Sequence, residues 1–189
     1  MITATIEDES IVVDILTSSF ETNQSVNYII KQDIHKKKRL RVLMEYSFYL
    51  CLRFGKVFLS ENKKACALIL YPDKQKTTFT SIFWDVKLAL VSIGRRNLIK
   101  ALKRESQIKK RHPAVPFVYL WFIGVTPEEQ HKGIGSQLLQ DVLEYTDALK
   151  RGVYLETSTV INLPWYEKFG FQNYDELDLG YRLFFFKRA

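Results

Sequence analysis

The stretch Val125-Thr-Pro-Glu-Glu-Gln130-His-Lys-Gly133-Ile-Gly135-Ser-Gln-Leu-Leu139 joins an apolar run to a helical one, and its reading decides the fold. Before it, Phe117-Val-Tyr-Leu-Trp-Phe-Ile-Gly-Val125 carries no charge and is rich in β-branched and aromatic residues, which predicts a buried central strand. After it, Leu138, Leu139, Val142, Leu143, Tyr145 and Thr146 recur at helical spacing, with Asp141, Glu144 and Asp147 on the other side. In the loop between them, Gly133 and Gly135 remove side chains just before the helix. Successive backbone N–H groups can then point at an anion, and the helix dipole adds roughly half a positive charge there. Lys132 places a full charge beside them.

Spacing separates this loop from other phosphate-binding loops. A dinucleotide fingerprint needs a third glycine at position 138, which is Leu138, and a Walker A loop needs Gly-Lys-Ser/Thr, which is absent. What remains is Gln-x-x-Gly-x-Gly after a strand ending Gly-Val-x-Pro. This pattern resembles the acetyl-CoA-binding loop of the GCN5-related N-acetyltransferase (GNAT) superfamily. A second stretch supports it: Val153-Tyr-Leu-Glu-Thr157 reads as a strand, and Asn162-Leu-Pro-Trp-Tyr166-Glu-Lys-Phe-Gly170-Phe171 as a short helix stopped by Gly170 and followed by a strand. Its Tyr-Glu-Lys-x-Gly-Phe ending is similar to the end of the same superfamily's cofactor-binding core. The resemblance is specific from about Phe117 to Phe171. Tyr-Leu-Glu-Thr-Ser, Asn-x-x-x-Tyr and His112-Pro113 are most similar to the branch containing puromycin N-acetyltransferase. The chain departs from the commoner spacing, in which an Asn lies seven residues before the Tyr; Thr159 stands there, and Asn162 only four before Tyr166.

The resemblance implies an α/β (α+β) fold in one domain over residues 1–189: a mixed, mostly antiparallel twisted sheet flanked by helices, with a splayed central strand pair. It implies acetyl-CoA as cosubstrate, no metal, and a primary amine of a small molecule or peptide as acceptor, attacking directly in a ternary complex. Carried onto this chain, the pantetheine arm would lie along Ile123, Gly124 and Val125. Gly124 would permit a bulge, and the Val125 N–H would face the developing oxyanion. Gln130, His131, Lys132, Gly133, Ile134, Gly135 and Ser136 would surround the pyrophosphate, with Asn162 and Tyr166 completing the cofactor site. Tyr166 would donate a proton to the departing thiolate. For a general base the central strand offers no carboxylate; Glu156 on the next strand is the best-placed candidate, and a structural hydrogen-bonding role stays open for it. His112 reads as part of a strand-entry loop. Trp84, Trp121 and Trp165 fit either core positions or the wall of an acceptor pocket.

Composition is compatible with this. The 189 residues, 47% hydrophobic, suffice for one domain with a substantial core. A formal net charge of +7 favours anionic ligands, for which a phosphorylated cofactor is a sufficient reason. Cys51 and Cys66 lack the number and spacing of a disulfide framework or zinc site and read as buried thiols of a cytoplasmic protein. No signal peptide or bilayer-spanning run is visible, so no membrane partner is expected. A homodimer is compatible with these features.

Elsewhere, Ile2–Ile6 reads as a first strand, followed by a helix with Asp8 or Ser10 as cap and Ile11, Val12, Ile15, Leu16 and Phe20 inward. A second helix spans about 34–53 and ends at Gly55. Residues 57–60 and 65–71 form a hairpin over the turn 61–64. A long helical insertion covers 82–110, broken near Gly94, and residues 180–187 form a terminal strand. The insertion carries Arg95, Arg96, Lys100, Lys103, Arg104, Lys109, Lys110 and Arg111, and residues 36–41 carry a second basic cluster. Either could bind nucleic acid, but no nucleic-acid motif accompanies them, and a solvated helix face is the reading preferred. A non-catalytic acyl-CoA-binding module is the other alternative to an enzyme.

Overall fold

Seven strands form one sheet in the order β1-β2-β3-β4-β5-β7-β6. They are β1 (Ile2–Thr3), β2 (Gly55–Leu59), β3 (Ala65–Leu70), β4 (Val118–Val125), β5 (Val153–Thr157), β6 (Gln172–Asp178) and β7 (Arg182–Arg188). The helices are α1 (Glu9–Ser19), α2 (Gln24–Ile29), α3 (Lys36–Phe54), α4 (Phe79–Lys87), α5 (Arg95–Lys109), α6 (Ile134–Ala148) and α7 (Leu163–Lys168). This computed structural model describes residues 1–189, apart from the side chains of Phe79, Arg95 and Arg96. The mixed, mostly antiparallel sheet flanked by helices is the expected architecture: every neighbouring pair is antiparallel except β4 with β5.

Alternation along the strands sorts the core onto two faces. On one, α1 and α3 bring Val12, Leu16, Met44 and Phe48 against Val57, Cys66 and Leu68. On the other, α6 and α7 bring Leu139, Val142, Leu143 and Tyr166 against Ala67, Ile69, Leu155 and Phe186. Both cysteines are buried free thiols. A smaller cluster joins Ile108 of α5 to Leu183 and Phe185 of β7.

The central strand carries a bulge, but not where a glycine would suggest it. Ile69 faces Leu120 and Leu68 faces Phe122, so Trp121 is the extra residue on β4. The bulge resets the alternation: Tyr119, Trp121 and Phe122 pack with the α1–α3 face, whereas Ile123 and Val125 pack with the α6 face. Gly124 sits in regular register opposite Cys66. Its lack of a side chain serves a different purpose, because a Cβ there would lie 3.0 Å from Ser19 Oγ and 3.4 Å from Leu16 Cδ2. Gly124 lets α1 lie close on the sheet.

Three further elements differ from the sequence reading. The first strand ends at Thr3, because Thr5 N–H donates to Asp8 Oδ2 at 3.0 Å and turns the chain. The six-residue α2 was not foreseen; Asn23 caps it by accepting from Val26 N–H at 3.0 Å. The insertion is α4, one stretch of π-helix over Leu88–Ile93, and α5, broken at Gly94 with φ of 74°.

Candidate active site

The parallel pair at the centre of the sheet is short. Val118 faces Val153 and Tyr119 faces Tyr154, after which β4 runs on to Val125 and β5 to Thr157 without pairing to each other. The strands therefore splay. Thr126 N–H donates to Lys64 O at 2.9 Å, and Val125 stands opposite Ala65. By the alternation of an antiparallel ladder, the backbone groups of Ile123 and Val125 then turn away from β3, into the gap. The Val125 carbonyl is already taken there by Ser19 Oγ at 2.8 Å and Gln130 Nε2 at 3.2 Å. The amides of Ile123 and Val125 are the donors that face the gap.

The glycine loop stands at the end of this gap. Gly133, with φ of 83°, is the residue before α6, and the first intrahelical bond of the helix is Gln137 N–H to Gly133 O at 3.0 Å. The N–H groups of Ile134, Gly135 and Ser136 precede it and have no acceptor within the helix. The two glycines serve differently. A Cβ at Gly133 would meet nothing within 4 Å, so there the left-handed backbone is what calls for glycine. A Cβ at Gly135 would lie 3.0 Å from Val125 Cγ2, so there the need is close packing of the helix start on the end of β4. His131 also has positive φ, 62°, which places this exposed residue at the turn by its backbone. The Lys132 ammonium lies 3.2 Å from Glu129 Oε2, which shares its charge.

Tyr166 and Asn162 lie on the far wall. Tyr166 is buried among Trp165, Phe171 and Phe186, and burial holds its phenol well above the ordinary range, so it is protonated and available as a donor. Asn162 precedes α7 and makes no side-chain cap. Trp165 Nε1–H donates to Ser136 Oγ at 2.9 Å, tying this wall to the glycine loop. Tyr166, Asn162, Ile123 and Glu156 all border one cavity of about 910 Å³, whose other side is built by α2, α3, α4 and α5 and by Phe20 just after α1. Tyr46, Trp121 and Phe20 line that other side. Trp121 is thus a pocket residue, and Trp165 a fastening one.

Glu156 is more enclosed than an exposed base would be, at 3% side-chain exposure. His112 Nε2 lies 2.8 Å from its Oε1, and Tyr119 O–H donates to its Oε2 at 2.5 Å. Burial, reinforced by this carboxylate, pushes the Tyr119 phenol far up. His112, read from sequence as a loop residue, is a partner of Glu156; their separation of 44 positions left no sequence signal.

The basic helix is not a uniformly solvated face. Arg104 turns inward and donates to Ser25 Oγ at 2.6 Å and Tyr181 OH at 3.1 Å, and Arg111 donates to Asp175 Oδ2 at 2.7 Å. Lys100 covers the Tyr28 ring at 3.6 Å. Arg95 and Arg96, counted in that basic face, lie outside the described side chains. In the other cluster Arg39 is fixed by Asp33 at 2.7 Å. Among the described residues, no helix is long and apolar enough to cross a membrane, and no group of three or more His, Cys, Asp or Glu is placed to hold a metal ion.

Comparison with known proteins agrees with this fold. The chain is similar to an uncharacterised N-acetyltransferase of Schizosaccharomyces pombe, 26% identical over 144 residues, covering 71% of this chain and 58% of the relative; the match thus spans somewhat over half of the curated relative's length. A Corynebacterium glutamicum structure described as histone acetyltransferase HPA2 and related acetyltransferase superposes with a TM-score of 0.71 at 19% identity, covering 100% of this chain and 94% of the other. Arylalkylamine N-acetyltransferase 2 from Aedes aegypti superposes with a TM-score of 0.65 at 14% identity, covering 100% and 97%. These structures share the fold. The model of the acetyltransferase (GNAT) domain matches residues 97–173, which hold β4, the glycine loop, α6, β5 and α7.

Proposed function

We propose that this protein is an acetyl-CoA-dependent N-acetyltransferase that moves an acetyl group to a primary amine of a small molecule or peptide by direct attack in a ternary complex. The observation that carries this reading is the splay between β4 and β5, where the amides of Ile123 and Val125 face a gap bounded by the unpaired N–H groups of α6 and by Tyr166. A pyrophosphate takes the helix start. The pantetheine arm then lies along Ile123, Gly124 and Val125, with Gln130, His131, Lys132, Gly133, Ile134, Gly135, Ser136 and Asn162 around the remainder of the cofactor.

Each step of the transfer has a group to serve it. An amine must be neutral to attack, and Glu156 is the carboxylate on which that proton's removal depends. The amine's lone pair forms the C–N bond, and the carbonyl oxygen gains charge opposite the Val125 N–H. When the C–S bond breaks, its electron pair leaves on sulfur, and Tyr166 protonates the thiolate.

Release of free thiol from acetyl-CoA, measured across small amines, amino-terminal peptides and lysine peptides, tests the proposal. Turnover with one class supports it and names the acceptor. Tight acetyl-CoA binding with no thiol released in any class would favour a non-catalytic binding module.

A further inference from the structure

We propose that His112 is the group that takes the acceptor's proton, and that Glu156 acts through it as a positioning residue; the inference rests on the acetyltransferase reading. Both oxygens of Glu156 are occupied, Oε1 by His112 Nε2 and Oε2 by the Tyr119 hydroxyl, and its side chain is almost wholly enclosed. An amine cannot reach a carboxylate held in this way. The imidazole is more open, at 13% side-chain exposure, and borders the same cavity as Tyr166 and Glu156.

The hydrogen bonds assign the tautomer. A carboxylate only accepts, so Nε2 carries the proton that points at Glu156, and the lone pair is left on Nδ1. Nδ1 has no hydrogen-bond partner among the described residues, on a ring that lines the cavity. Phe117 and Tyr119 hold the ring between them, with centroids at 5.0 and 5.1 Å. Tyr46 of α3, Asp85 of α4, Arg104, Glu105 and Lys109 of α5, Tyr119 of β4, Glu156 of β5 and Tyr166 of α7 are the ionisable groups that share the cavity wall with it.

The proton account closes. The ammonium proton passes to Nδ1, directly or through one water, and the imidazolium formed is balanced by Glu156. The freed lone pair makes the C–N bond. The thiolate leaves with the C–S pair and takes the Tyr166 proton; the intermediate's excess nitrogen proton restores Tyr166, and His112 releases its own to solvent. One proton leaves per amide formed from an ammonium.

The test uses the full chain, acetyl-CoA and an amine that the wild type turns over, followed by thiol release from pH 6 to 10. His112→Gln should lower kcat about a hundredfold near neutral pH, leave KM for acetyl-CoA unchanged, and lose less at high pH, where the amine is already neutral. Added imidazole should restore part of the rate to His112→Ala and none to His112→Gln. A pH profile of the wild-type form in His112→Gln, or a loss equal at every pH, would overturn the proposal while leaving the acetyltransferase reading in place. A wild type that binds acetyl-CoA yet acetylates no amine overturns both. If the variants fail to fold, nitrogen chemical shifts of the wild-type imidazole decide: a proton on Nδ1 in the neutral ring removes its role as base.

Discussion

Trp165 of α7 donates its indole N–H to Ser136 Oγ in the first turn of α6, at 2.9 Å. The helix that carries Tyr166 is thereby fastened to the helix whose amino end is the proposed anion site. Trp165→Phe keeps the packing and removes the bond, and should cost about 1 kcal/mol of stability, read as the urea midpoint. If the bond also holds the anion site in place, acetyl-CoA affinity falls about fivefold, the equivalent of the same free energy. Ser136→Ala should reproduce both changes, and the double variant should add little to either single one.

The two loop glycines should fail in different ways. Acetyl-CoA and CoA should both raise the melting temperature of the wild type, and pantetheine, which lacks the pyrophosphate, should raise it much less. Gly133→Ala meets no neighbour but strains a left-handed residue by about 1 kcal/mol, so it should lower the melting temperature and keep much of the ligand-induced rise. Gly135→Ala pushes against Val125 Cγ2 and should lose more of that rise. Val125→Ala should relieve Gly135→Ala and not Gly133→Ala. Equal behaviour of the two glycine variants would argue against the packing described for Gly135.

Tyr166→Phe deletes one hydroxyl from a ring packed on Phe171 and Phe186, so the fold and acetyl-CoA affinity should be kept. Turnover should fall about a hundredfold under conditions where chemistry limits the rate. Full activity in this variant would leave Tyr166 a packing residue only.

Buried phenols set the alkaline limit of stability. Burial raises Tyr119 and Tyr166 above their unfolded value of about 10, so the folded state holds their protons longer than the unfolded chain does. The sign follows: their contribution is fully present below pH 10 and is lost as pH rises beyond it, toward the folded values. Each should lower the unfolding free energy by about 1.4 kcal/mol per pH unit above 10. Urea midpoints between pH 9 and 12 check this, and Tyr166→Phe should flatten the slope by one such share.

Sequence reading succeeded where signals are local. The apolar run before Val125, the glycine pair before α6 and Gly170 after α7 each act within a few residues, and the structure has a strand, a helix start and a helix end at those places. It failed where the cause lies across the sheet. The bulge falls on Trp121 because of how β4 meets Leu68 and Ile69 of β3, which no glycine in β4 reports. Gly124 looked like the place of a bulge and is a seat for α1. The pairing of His112 with Glu156, and the inward turn of Arg104 to Ser25 and Tyr181, join residues from separate elements. The six residues of α2 are too few to show a period; only its cap, Asn23, could have marked it.

The splay at the centre of the sheet also bears on how a ligand is received. A ladder that stops after Tyr119 and Tyr154 leaves backbone donors whose directions are set by the outer strands of the sheet, not by the guest. The conformational cost of aiming them is met when the chain folds, before any encounter. What the incoming molecule displaces is water, so association should need little rearrangement of the gap itself, and its speed should be governed by how freely the helices across the cavity admit it.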